Sequence, residues 1–174
     1  EEVSGRLSQA EYLQRLMLPS SPFRSWVLTQ FLDKFSKILS TVTPLIFSGV
    51  HASLAIDSKG SGVDLILSRN GKVVDYRALS GGEKKRIDIA LILSFQRFLM
   101  ETSGVRTNLI IFDEIDGGLD SQGMDAVLSC IEALFSPDMA IYVITHRAEF
   151  KSRFDSIINI RKNEEGVSEL IYAS

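Results

Sequence analysis

Two short, unbroken apolar runs, Leu109-Ile110-Ile111-Phe112 and Ala140-Ile141-Tyr142-Val143-Ile144, constrain the fold more than any other feature of the chain. Each is shorter than an ordinary helix and neither alternates, so each is expected to be a strand of a parallel sheet buried on both faces. Between them, Val127, Leu128, Ile131, Leu134 and Phe135 recur at helical spacing from Met124 onward. Parallel neighbours need a long connection, and strand, helix, strand in this order predicts a crossover unit of an α/β fold. Both strands run into residues that carry chemistry, Asp113-Glu114 after the first and Thr145-His146 after the second. Ligands of open α/β sheets gather at the carboxyl ends of the strands, which makes these residues the first candidates for a site.

A second candidate lies upstream, in Leu79-Ser80-Gly81-Gly82-Glu83. From Glu83 on, Ile87, Ala90, Leu91, Ser94, Phe95 and Phe98 repeat every three or four residues, so a helix begins at the serine and glycines. A helix start exposes backbone amides and the positive end of the dipole, glycine permits close approach of a phosphate, and a serine hydroxyl donates to one. The same residues also make an ordinary N-cap with an acid in the first turn. Both readings stand together: a cap when empty, a phosphate clamp when engaged. Lys84-Lys85-Arg86 reads first as a solvated charge run, with a switch or DNA contact as the alternative. Asp116 is expected to be a surface acid, and His51 has no partner motif.

The rest of the chain frames these pieces. Val3, Leu7, Ala10, Leu13 and Met17 fall at helical spacings before Pro19 and Pro22, which suits a coiled-coil stub over residues 1–18 but is too short to establish a heptad. Trp26, Val27, Phe31, Phe35 and Ile38 mark the apolar face of a helix over 23–39 that continues towards Pro44. Strands are expected over 52–56, 63–67 and 72–76, with Asn70-Gly71 a strong hairpin signal, and 156–160 and 167–172 read as a closing hairpin.

Composition excludes several classes. A chain of 174 residues with 45% hydrophobic content can bury a core. No apolar stretch approaches the roughly 20 residues of a membrane helix, and Glu1-Glu2-Val3-Ser4 lacks the pattern of a signal peptide. Neither membrane insertion nor secretion is expected. Cys130 falls on an apolar helical face and reads as a small buried hydrophobe, in keeping with a reducing cytosolic compartment. A net charge of -3 rules out a globally basic surface, so contact with nucleic acid must be local or made by other parts of the assembly.

Taken in order, Leu79 to Glu83, the run ending in Asp113-Glu114, then Leu119-Asp120, and the run ending in Thr145-His146 resemble the signature motif, Walker B strand, D-loop and switch histidine of an ABC-type ATPase head. No Gly-x-x-x-x-Gly-Lys-Ser/Thr occurs, since Gly71-Lys72 is followed by Val73, so the sequence has no phosphate-cradling P-loop of its own. In SMC-like ATPases a coiled coil separates the two halves of the head, and this chain resembles the second half. Thr145-His146 together with Pro22-Phe23-Arg24-Ser25-Trp26-Val27-Leu28 is similar to the SbcC-type ATPases of double-strand-break repair and their phage recombination-endonuclease counterparts.

The resemblance implies an α/β ABC-ATPase head lobe over 19–174, preceded by the coiled-coil stub, with ATP and Mg²⁺ as cofactors. It implies that Asp113 holds Mg²⁺ and Glu114 activates the attacking water. His146 contacts the γ-phosphate. Ser80, Gly81, Gly82 and Glu83 engage the nucleotide of a second head, and Asp120 crosses the dimer interface. The implied partners are an amino-terminal P-loop half, a second copy of the head, an SbcD-type metal nuclease and DNA. The implied location is cytoplasmic, at the nucleoid or in the host cytoplasm for a phage protein. An SMC-type chromosome-organising head is the alternative, followed by a soluble or transporter-type ABC ATPase.

Overall fold

The computed structural model describes residues 2–16, 18, 21–58, 62–104 and 107–172, and among these the side chains from position 9 to 171. Two helices lead: α1 (Glu2–Leu16) and α2 (Pro22–Ile46). Val3 and Leu7 belong to α1 but their side chains, with all of Met17 and Pro19, lie outside the described set; Leu13 is exposed. The α2 helix starts where Ser21 caps it through Arg24 N–H, with Pro22 at the first helical position, where a missing N–H costs nothing. Its apolar face is only partly the expected one. Phe35 is buried, joined by Leu32, Leu39, Val42 and Ile46, whereas Trp26, Val27 and Phe31 are exposed.

A three-stranded antiparallel sheet follows, β1 (Val50–Ile56), β2 (Val63–Arg69) and β3 (Lys72–Val74), in the order β1-β2-β3. The β2–β3 turn is the expected one: Asn70 and Gly71 both adopt positive φ, 52° and 77°, as a type I′ turn requires. Ser36 ties the sheet to α2, its hydroxyl accepting from Leu54 N–H at 2.9 Å and donating to Leu54 O at 3.2 Å. A 3₁₀ turn (Tyr76–Ala78) leads into α3 (Gly81–Thr102), which packs along α2 through Phe31, Phe35, Phe95 and Phe98. The Phe31 and Phe98 rings meet edge to face with centroids 4.7 Å apart, an arrangement worth about 0.5–1.5 kcal/mol beyond its area.

The predicted crossover is present: β4 (Leu109–Asp113), α4 (Ser121–Leu134) and β5 (Ala140–Ile144), with β4 and β5 parallel and paired from Leu109↔Ala140 to Asp113↔Ile144. The expectation of burial on both faces is corrected. Ile110 and Phe112 enter the core with Met124, Val127 and Ile131 of α4, while Leu109, Ile111, Tyr142 and Ile144 remain exposed, Ile111 at 58%. One face has a layer of helices and the other has none among the described residues. The continuous apolar runs are therefore written for a sheet with two covers, of which the described residues supply one. Cys130 is buried as expected, and burial pushes its thiol up to about 11. After a second 3₁₀ segment (Ala148–Arg153), β6 (Ile158–Lys162) and β7 (Ser168–Tyr172) form the closing hairpin as a separate antiparallel pair. No helix among the described residues is long and apolar enough to cross a membrane.

Candidate functional site

At the carboxyl ends of β4 and β5 the two chemical residues face each other. Glu114 N–H donates to Ile144 O at 3.0 Å, continuing the ladder one step past the strands, and the turn that follows holds Glu114 at φ 49°. A β-carbon in the left-handed region is strained, and non-glycine residues held there cluster at functional positions. His146 Nε2 lies 2.8 Å from Glu114 Oε1. Both side chains stand in solvent, 85% exposed for His146 and 61% for Glu114, so burial does not explain why the chain brings them together. Asp113 ends β4 beside them, exposed. Among the described residues no cluster of three or more His, Cys, Asp or Glu side chains is arranged as a metal cage. A single strand-end carboxylate nevertheless suits Mg²⁺, which keeps waters and is bound through one or two carboxylates plus substrate phosphates.

The second candidate sits at the start of α3 and is internally satisfied. Ser80 is the N-cap, accepting from Glu83 N–H at 3.4 Å, while Glu83 Oε2 accepts from Ser80 N–H and from the Ser80 hydroxyl at 2.9 Å each, a complete capping box. Arg69 of β2 holds the other carboxylate oxygen at 2.6 Å. That guanidinium, together with the Ser80 donors, holds the Glu83 carboxyl at about 2. Gly82 has a packing reason to be glycine, because a β-carbon there would come 3.2 Å from Gly118 O. Gly81 has none among the described residues: a β-carbon would meet nothing within 4 Å.

Between the two lies the loop 115–120. Of its glycines, Gly118 needs positive φ, 80°, for the bend. Asp120 caps α4 through Gly123 N–H at 2.8 Å and accepts from Arg86 Nη2 at 2.7 Å. A cleft of about 380 Å³ opens here, bordered by Ser80, Gly82, Glu83, Arg86, Gly118 and Asp120. Two features are not legible in the sequence. Asp116 is no surface acid: it is 4% exposed and accepts from the Thr145 hydroxyl at 2.6 Å, because the loop after β4 folds back under the end of β5. Arg147, next to His146, sends its guanidinium to Leu119 O at 2.6 Å and Asp116 O at 3.4 Å. The adjacency of Thr145 and Arg147 to the histidine is plain in the sequence; their long-range acceptors are not. Arg86 leaves the solvated charge run to pair with Asp120, whereas Lys84 reaches Arg77 O at 3.1 Å. The structure therefore joins Glu114 to His146, and Ser80 with Glu83 to the cleft at Asp120, and links the two groups through this loop.

A parallel strand pair that presents an acid and a histidine, connected by a glycine bend to a capped signature helix, defines one half of an ABC-type ATPase head. By fold and motif order the chain is the carboxy-terminal half of an SMC-like ATPase head. It is similar to exonuclease subunit 2 of Escherichia phage RB69, 30% identical over 75% of this chain and 22% of that protein. It is also similar to the SbcC component of the nuclease SbcCD of Clostridium acetobutylicum, 25% identical over 96% of this chain and 14% of that one. The chain thus spans less than a quarter of the length of these relatives. A solved chain from a study of ATP-driven dimerization and DNA-stimulated activation of SMC ATPases superposes with a TM-score of 0.73 and 26% identity, covering 86% of this chain and 89% of that one. No protein-family model matches.

Proposed function

We propose that this chain is the half of an ATP-hydrolysing head that supplies the hydrolytic acid, the γ-phosphate histidine and the signature, and that a P-loop-bearing amino-terminal half completes it. The observation that carries the reading is the His146–Glu114 contact at the ends of two adjacent parallel strands, with Glu114 held at positive φ. In this arrangement each satisfies the other. With nucleotide present, His146 turns to the γ-phosphate and Glu114 is freed to orient and deprotonate water. Asp113 would hold Mg²⁺ with the phosphates, and Mg²⁺ would neutralise charge developing on them. Ser80, Gly81, Gly82 and the cap formed with Glu83 engage the γ-phosphate bound to a second head, and Asp120 lies at the same dimer interface. The open space in front of Gly81 supports this, because nothing among the described residues explains a glycine there.

The exposed face of β4 and β5 supports the missing half: Ile111, 58% exposed, and Tyr142, 48% exposed, lie where a second layer belongs. The whole protein is then an ATP-driven dimer whose closing and opening control DNA binding and a partner nuclease of the SbcD type, in the cytoplasm, with residues 1–18 as the end of a coiled coil and 19–174 as the head lobe. The similarity to proteins named as parts of nucleases supports the repair reading. The similarity to SMC ATPase heads supports the second reading, a chromosome-organising head, which shares the same ATP chemistry.

Calorimetric titration tests the split. The chain alone is expected to show no tight binding of Mg-ATP and no hydrolysis, and both are expected on assembly with the P-loop half. Micromolar binding by the chain alone, or an assembled head that neither dimerises nor turns over with ATP, overturns the reading.

A further inference from the structure

We propose that Arg147 and Arg86 are positioning residues that hold the loop 117–120 from opposite sides and so connect His146 to Ser80 within one chain. The proposal rests on the ATPase reading above. In that reading His146 attends the chain's own nucleotide while Ser80 attends the nucleotide of the second head, so a physical link between them couples two sites.

Arg147 follows His146 directly, and its guanidinium is fixed before it reaches the loop. It stacks 4.4 Å from the ring centre of buried Phe150 and pairs with Glu149. So aimed, Nη1 donates to Leu119 O at 2.6 Å and Asp116 O at 3.4 Å. Its backbone N–H donates to Thr145 Oγ1 at 3.0 Å, and that hydroxyl donates to buried Asp116 at 2.6 Å. The segment 145–147 and the loop are therefore tied by both backbone and side chain.

On the far side Arg86, one turn into α3, donates to Asp120 Oδ1 at 2.7 Å, its guanidinium 5.7 Å from the Phe47 ring centre. The backbone is closely approached at that end. A β-carbon on Gly123 would lie 2.7 Å from Asp120 Oδ1 and 3.0 Å from Arg86, and one on Gly82 3.2 Å from Gly118 O. A shift of 145–147, made when a phosphate draws His146 from Glu114, is thus carried by Arg147 to Leu119 and by Asp120 and Arg86 to the first turn of α3. Asp120 is 66% exposed, and an ion pair so placed contributes little to stability. Its geometry, rather than its energy, is what the link uses.

The test uses the chain assembled with its P-loop half. Wild-type hydrolysis is expected to be cooperative in ATP, with a Hill coefficient between 1 and the ceiling of about 2 that two sites allow. Arg147→Ala is expected to bring the coefficient to about 1 and to weaken ATP-driven dimerisation by roughly 5- to 150-fold, the usual range of coupling between sites, with KM changed far less than kcat. Arg86→Ala is expected to do the same from the other end. The double variant should weaken ATP-driven dimerisation no more than either single, because both residues act through one loop. If Arg147→Ala fails to assemble, Arg86→Ala alone decides. A wild-type Hill coefficient in an assembled single variant, or additive losses in the double, overturns the proposal and leaves the ATPase reading standing. A wild-type head without ATP-driven dimerisation removes both.

Discussion

The start of α3 and the carboxyl ends of β4 and β5 belong to one proposed chemistry and are built in opposite ways. At α3 the side chains that could greet a phosphate already have partners: Ser80 and Glu83 cap each other, and Arg69 holds Glu83. At the strand ends the acid is strained, the histidine is exposed, and one face of the sheet lacks a cover among the described residues. The difference teaches which end is complete. A capping box is a local device that a helix makes for itself, so the signature end can be preformed in half a head. On the proposed reading the strand ends are the hydrolytic end, which needs a nucleotide delivered to it and a second layer behind it, and the described residues supply no such layer.

The sharpest way to break that contrast is Glu114→Gln in the assembled head. Removing the base while keeping the shape is expected to slow hydrolysis at least about 100-fold and to leave ATP-driven dimerisation intact. Steady-state turnover near wild type would mean that the strained end is not the hydrolytic one. Next in size, Ser80→Arg places bulk where the second head's phosphate would enter and is expected to abolish ATP-driven dimers on size exclusion with a non-hydrolysable analogue. Lost capping should cost only about 0.5–2 kcal/mol of stability. Dimers of undiminished strength would reduce the signature end to the structural cap it also is.

Smaller effects sharpen the same comparison in stability. Asp116→Ala strands the Thr145 hydroxyl under the loop and is expected to cost about 1–3 kcal/mol in urea unfolding of the assembled head. His146→Ala, at an exposed position, should stay within about 0.5 kcal/mol. Equal losses would contradict the division between a buried support and an exposed reactive residue. Smallest is a pH effect at α3. The Glu83 carboxyl sits at about 2 in the fold against 4.5 when free, so its stabilising contribution is whole above 4.5 and is lost as pH falls towards 2. In Glu83→Gln the thermal midpoint should therefore fall less steeply across that window than in wild type. Parallel profiles would show that the ion pair with Arg69 does not act in the folded head.

Much of this is legible in the sequence because it rests on local chemistry. The helix from Ser80, the Asn70-Gly71 turn and the β4–α4–β5 crossover follow from capping, positive φ and hydrophobic period, all of which act over a few residues. The nearness of Glu114 and His146 follows from motif order, since two parallel strands put their ends side by side, but their direct contact does not. Asp116 reads as a surface acid, wrongly, because its partner is 29 residues away, at Thr145. Arg86 reads ambiguously for the same reason, its partner Asp120 being 34 residues on.

What the sequence by itself determined is the set of elements and the residues at their ends. Period, caps and turn residues select local backbone states without reference to the rest of the chain. Only the tertiary structure decided which ends meet and which faces stay open: that Arg147 reaches Leu119, that Gly82 abuts Gly118, and that Ile111 and Tyr142 face outward. The reason is physical. An apolar run calls for cover on both its faces, but whether cover arrives from this chain or another is a matter of packing between distant segments, and no local pattern encodes it.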